Sequence, residues 1–308
     1  MHRAAAIAAA LAFASGCADA AAHKTTRIAD GVYALQPGAR IAGEPWRRRA
    51  NVVFVVGPRG VAVIDTGISY REGREIVAAV RGVTRQPIRL AILTHPGQEA
   101  VFGAAAFQAL GIPVVMQRQA AALVAARCET CLRNLKASLG DDAMAGTRVV
   151  EPDRLIDGGE TIDAIGRRLR VIAPAWSSAP GALAVFDERT STLVAGSMVS
   201  IGSVPDTRDA DVRGWRAALA VLSGTRCRHL VPSHGTIGRC SDIESFANYF
   251  NALDARVASL LRTGAGLAEV GERCDLPQYA RWDGYEALHR ANASRTYLRL
   301  ERALFDVP

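Results

Sequence analysis

The strongest constraint on this chain is a repeated junction in which a short apolar strand runs into a polar turn and the turn into a helix. The stretch "NVVFVVGPRGVAVIDTG" (51–67) reads as a hairpin turning at "GPRG", and "REGREIVAAVRGV" follows with helical spacing. "IRLAILT" (88–94) has the composition of a buried strand and leads into "EAVFGAAAFQALG", read as one helix. "PVVM" is a further strand, and a long helix runs through "RQAAALVAARCETCLRNLKASLG" to Gly140. From 147 to 201 short β segments dominate: "TRVV", "RRLRVIA", "ALAVFD" and "STLVAGSMV". A helix over "DADVRGWRAALAVLSG" and the strand "HLVPSHG" follow, and the pattern from Ser241 onward is helical. Strands alternating with helices around a β-rich middle predict an α/β fold with two sheets held between helices.

The first residues follow a different logic. "MHR" is a positive start, "AAAIAAALAFA" is apolar but too short to span a bilayer, and "ADA" (18–20) is a small-x-small cleavage site. Residues 1–20 are therefore read as a signal peptide, which makes the protein periplasmic or secreted. "ASGC" (14–17) keeps open the alternative of a lipid anchor on Cys17. No later apolar run is long enough for a membrane span. The chain is 49% hydrophobic and 22% charged, which suits a packed core and excludes disorder as the default. Its net charge of +7 is spread out apart from "WRRR" (46–49) and arginines near the end, so a solvated basic surface is expected and no nucleic-acid partner. Cleavage after Ala20 leaves Cys128, Cys131, Cys227, Cys240 and Cys274, an odd number, so at least one thiol stays unpaired.

Four motifs taken together resemble the metallo-β-lactamase superfamily: "VIDTG" at a strand end, "LTHPGQEAVFG" at the next junction, "STLVAGS", and "VPSHG". Their order and spacing match over residues 27 to about 240. The secretory start, "ARCETCL", "DADVRGW" and the ending "YEALHRANASRTYLRLE" are more narrowly similar to the quinoprotein relay system zinc metallohydrolases. The resemblance implies a four-layer αββα sandwich over 21–240 with a helical C-terminal extension over 241–308. It also implies a hydrolase whose zinc ions activate a water.

Carried over residue by residue, the family's T-H-x-H-x-D-H motif keeps Thr94 and His95, but its second histidine falls on Gly97, its aspartate on Glu99 and its last histidine on Ala100. H-T-x-G-D falls on "SAPGA", which puts Ser178 and Ala182 in place of its histidine and aspartate. The bridging aspartate falls on Ser197, and the final histidine survives as His234. The family's two-zinc centre is therefore not expected. Two readings remain. One is a non-catalytic or weakly active accessory protein that binds a small-molecule ligand or a periplasmic protein. The other is a rewired site for a single zinc or iron ion, with His95, Glu99 and His234 as a two-histidine, one-carboxylate face.

Other residues have plainer expectations. Asp65 is read as structural, accepting hydrogen bonds from the loop after its own strand. Cys128 and Cys131 share a helix face, where a C-x-x-C can be a redox pair, half of a zinc site or a disulfide staple; a structural disulfide or a thiol pair is expected over a redox centre, and a bridge between Cys227 and Cys240 would span the His234 loop. Tyr285, Leu288, Tyr297, Leu300 and Leu304 recur at near-helical spacing and predict a last helix packed onto the sandwich. There is no G-x-S-x-G elbow and no phosphate-binding glycine loop.

Overall fold

The structure is a computed structural model that describes residues 23–37 and 50–305. The signal-peptide reading of residues 1–20, Cys17 and "WRRR" lie outside the described residues. The first half builds β1 (His23–Ala29), β2 (Val32–Pro37), β3 (Val52–Gly57), β4 (Gly60–Ile64), α1 (Tyr70–Val83), β5 (Ile88–Leu93), α2 (Gln98–Val101), α3 (Ala104–Gln108), β6 (Val114–Gln117), α4 (Arg118–Leu139) and β7 (Arg154–Ile156). The second half builds β8 (Thr161–Ile162), β9 (Leu169–Ile172), β10 (Ala184–Asp187), β11 (Thr192–Ile201), α5 (Val212–Ser223), β12 (His229–Gly235), α6 (Asp242–Arg262), α7 (Leu267–Arg273) and α8 (Tyr285–Phe305).

Strands β1 to β7 form one sheet in chain order, and the second sheet runs β12-β11-β10-β9-β8. The first sheet is antiparallel through β4 and parallel from β4 to β7, because helical crossovers replace hairpins from that point on. The period of two along each strand sorts the core into layers. On β3 and β4, Val52, Phe54, Val61 and Val63 face a cluster shared with α1, α3 and α4. Their neighbours Val53, Val55, Ala62 and Ile64 face the second sheet and meet Val171, Val185 and Val194. On the far side Phe186, Leu193 and Ala195 pack against α5 through α8, with Trp215 fully buried beside Phe246 and Phe250. The result is helices, sheet, sheet, helices, the α/β sandwich predicted from the alternation.

Local chemistry sets the helix ends. The Ser69 hydroxyl accepts from Glu72 N at the start of α1, whose buried Ile76, Val77 and Val80 lie on one stripe. The Gln117 side chain caps α4, which stops at Gly140, where φ is +88°.

Three expectations need correction. The helix expected over 99–111 is two short pieces, α2 and α3, joined at Phe102 and Gly103, because that joint packs directly on the Thr66 backbone. "TRVV" is not a strand: Val150 is buried in the helix-side cluster and its segment has no ladder partner. In α8, Leu288 and Tyr297 are buried and Tyr285 and Leu300 pack on the same cluster, but Leu304 is 66% exposed. The apolar repeat runs one turn past the surface that it covers. Among the described residues no helix is long and apolar enough to cross a membrane.

Cys227 and Cys240 form a disulfide with Cα atoms 5.3 Å apart, closing the loop that follows His234 onto the segment before β12. Cys128, Cys131 and Cys274 are free thiols.

Candidate functional site

The site lies where the ends of β4, β5, β11 and β12 meet. Main-chain contacts draw the two sheets together there. Leu183 N donates to Thr94 O at 2.8 Å, and Asn51 N donates to Ser233 O at 2.8 Å. Asn51 Nδ2 also donates to Pro232 O and Gly235 O, which fixes the strand end that carries His234. At Gly196, φ is +54° and an added Cβ would lie 2.6 Å from Thr94 Oγ1, so β11 approaches Thr94 only because that residue is glycine.

From this seam a chain of polar contacts runs outward. Asp65 is buried with φ +65°, and its carboxylate accepts from Thr94 N at 2.8 Å and from Thr94 Oγ1 at 2.9 and 3.0 Å. The aspartate thus holds the end of the neighbouring strand rather than the loop after its own, which corrects the expectation above. Having given its proton to Asp65, the Thr94 hydroxyl can only accept from His95 Nδ1, 2.7 Å away. The Nδ1 hydrogen is therefore assigned, and Nε2 faces Glu99 Oε1 at 3.2 Å. The same carboxylate oxygen lies 3.4 Å from His234 Nε2. His95, Glu99 and His234 are brought together, with the glutamate between two imidazoles.

The electrostatics follow from burial and pairing. Burial pushes the Asp65 carboxyl above its ordinary value, against the pull of His95 and Thr94. Burial acts on His95 in the opposite sense, but its hydrogen bond to Glu99 and the charges of Glu99 and Asp65 outweigh it and raise its pKa. Glu99 is also opposed by burial, yet hydrogen bonds from His234 and His95 hold it far below the usual carboxylate range. The sign of each linkage is fixed. The His95 contribution to stability is complete below about pH 6.5 and is lost as pH rises through its raised folded value. The Glu99 contribution is present above about pH 4.3 and is lost as pH falls through its lowered value. Glu99→Gln should therefore lower the His95 midpoint below that of the unchanged protein, read by NMR titration of the imidazole. An unmoved midpoint would rule out this pairing.

The superfamily's zinc can be tested against these donors. Gly97 and Ala100 offer no ligand atom, and Ala100 O already accepts from Thr66 N and Oγ1. Ser178 and Ser197 hydrogen-bond each other at 2.8 Å, which uses the hydroxyls at the two other replaced positions. Among the described residues no group of three or more His, Cys, Asp or Glu side chains is set to hold a metal ion. The residues do not fit the two-zinc centre.

These groups line an open cleft of about 660 Å³. Its opposite wall is α4, through Arg127, Cys128, Cys131 and Asn134. Arg127 reaches across to Asp209 at 2.7 Å, and Trp176 Nε1 donates to Asp209 O at 2.6 Å, tying the loop before α5 to the mouth. Arg127 and Asp209 fall within "ARCETCL" and "DADVRGW", but nothing in either string pairs them, and only the three-dimensional closure of α4 on that loop does.

Fold and seam together define an αββα sandwich with its cleft at the strand ends. The sequence profile of the metallo-β-lactamase superfamily matches residues 45–234, and the chain belongs to that superfamily. It is similar to a metallo-β-lactamase from Pontibacter korlensis, with TM-score 0.61 and 21% identity over 73% of this chain and 97% of that one. A metallo-β-lactamase from Hirschia baltica gives 0.60 and 19% over 73% and 96%. The mono-zinc form of one from Pseudomonas aeruginosa gives 0.58 and 17% over 73% and 93%. Identities this low carry the fold alone. No curated protein matches the sequence.

Proposed function

We propose that this protein is a degenerate member of the superfamily whose cleft binds a ligand or a protein partner, with little or no hydrolysis. One observation carries the reading: the side chains at the family's metal positions are Gly97, Ala100, Ser178 and Ser197, and the remaining three are closed on one another through Glu99. Zinc in proteins is normally held by three or four donors, and here the carboxylate between the two imidazoles already lies against both. The same reading takes the protein as exported by residues 1–20 and as an accessory of a periplasmic quinoprotein oxidation system. It treats 21–240 as the sandwich unit and 241–308 as its extension. Its support is the signal-like start and the motif likeness of "ARCETCL", "DADVRGW" and the C-terminal helix.

A second reading, one zinc or iron ion on His95, Glu99 and His234, draws on the Nδ1 hydrogen of His95. That assignment leaves Nε2 as the atom to bind a metal, and the Nε2 to Oε1 separations are 3.2 and 3.4 Å. Such values resemble ligand-to-ligand spacings around a tetrahedral ion with bonds of about 2.0–2.1 Å.

Elemental mass spectrometry of protein purified without chelator separates the two. The expected result is far less than one metal per chain, unchanged in a His95→Ala, His234→Ala double variant, with no hydrolysis of ester, thioester or β-lactam substrates. About one metal per chain that vanishes in the variant, with hydrolysis lost on His95→Ala, would replace the first reading by the second.

A further inference from the structure

The wall of the cleft facing the histidines carries two thiols that the reading above does not use. Cys128 and Cys131 stand one turn apart on α4 and both line the cleft, Cys128 buried and Cys131 half-buried. The Arg127 guanidinium on the same turn lies within electrostatic reach of both sulfurs. Burial, and then the neighbouring Cys131, push the Cys128 thiol up to about 12. Cys128 therefore keeps its proton, and Cys131 is the more exposed of the two thiols.

We propose that Cys128 and Cys131 form a dithiol site that undergoes thiol–disulfide exchange with a small disulfide entering the cleft. The Cys131 thiolate attacks one sulfur of the disulfide RSSR, forming a mixed disulfide and releasing the first RS⁻. Cys128 gives up its proton to that leaving thiolate or to water and attacks the Cys131 sulfur, forming the internal bond and expelling the second RS⁻. The dithiol is oxidised by two electrons, RSSR is reduced to two RSH, and the two protein protons end on the two products.

Geometry makes the internal bond possible and labile. Residues three apart in an α-helix have Cα atoms about 5 Å apart, within the roughly 4.4–6.8 Å range of disulfides. Their Cβ atoms stand about 5–6 Å apart, whereas a disulfide needs about 3.5–4.5 Å, so this turn must tighten to close. A bond that deforms its helix is the more easily reduced one. The Cys227–Cys240 bridge, by contrast, is already formed without such a rearrangement. The inference does not rest on the metal reading, since neither thiol belongs to the His95, Glu99 and His234 group.

The test uses the full chain in mixtures of reduced and oxidised glutathione, quenched with acid, alkylated and cut with trypsin. Cleavage after Arg127 and Arg133 isolates the peptide "CETCLR". The expected result is reversible conversion of this peptide to a form lighter by two hydrogens, at ratios that leave Cys227–Cys240 intact. In Cys128→Ser, Cys131 should accumulate a glutathione adduct, and in Cys131→Ser, Cys128 should stay unmodified until denaturant is added. Three results would overturn the proposal: a peptide that stays dithiol in oxidising mixtures, an adduct on Cys131 in the unaltered chain that never closes, or Cys128 reacting as fast as Cys131 in the single variants.

Discussion

Replacing Asp187 by alanine is expected to destabilise the protein by about 3–5 kcal/mol, the range for stranding one partner of a buried ion pair. Arg167 and Asp187 are only 5% and 2% exposed. The guanidinium gives Nε to Asp187 Oδ1 at 2.6 Å and Nη2 to Oδ2 at 2.5 Å, while Nη1 reaches Asp30 O and Val56 O on the other sheet. The pair therefore pins the two sheets together at the end away from the cleft. Without the carboxylate the guanidinium stays buried with its charge uncompensated. Urea unfolding at pH 7 measures the loss, and a value below about 1 kcal/mol would mean that the guanidinium escapes to water. Arg167→Met with Asp187→Leu should recover most of it, because an apolar pair removes both buried charges. Burial alone would raise the Asp187 pKa, but hydrogen bonds from Arg167 and Thr190 prevail and hold it low. Its folded value is thus depressed, so the stabilisation is present above about pH 3.9 and fades as pH falls through that lowered value.

Gly103→Ala should cost about 3 kcal/mol, the upper end for inserting a methyl group into a packed core. An alanine Cβ there would lie 1.7 Å from Thr66 O and 2.6 Å from Thr66 C. Both are main-chain atoms, so no rotamer change relieves the contact. The α2–α3 joint would have to lift away, breaking the bond from Gly103 N to Gly67 O at 2.9 Å. Glu99 lies on α2, just before that joint, so the variant should also lose the raised His95 midpoint. Thermal unfolding and the imidazole titration together check this prediction. A stable variant with an unmoved His95 would show that the joint does not position Glu99.

Much of this architecture is legible in the sequence, for physical reasons. Alternating faces on "VVFVV" and "VAVI" sort themselves between two neighbours, and that alternation alone asks for a second layer on each side of the sheet. That His95, Glu99 and His234 come together was readable because a motif fixes two of them at strand ends and Glu99 on the short helix between, and both imidazoles meet one Glu99 oxygen. The Arg167–Asp187 pair was not, since a charged residue before β9 and one at the end of β10 look like surface in any one-dimensional pattern. Nor was the grip of Asp65 on Thr94, which joins residues 29 positions apart. Leu304 shows the opposite failure: a helical apolar stripe says which face would be buried, not where the partner surface ends.

The absence of a side chain at Gly97 is what lets His95 and Glu99 meet. A Cβ at that position would fall 2.5 Å from His95 Nε2 and 2.7 Å from Glu99 Oε1. Gly97→His would therefore strike the His95–Glu99 ion pair. Accommodating an imidazole there requires His95 and Glu99 to give way first. One substitution at Gly97 is therefore not enough to add a metal ligand to this cleft, because the neighbouring pair would have to move with it.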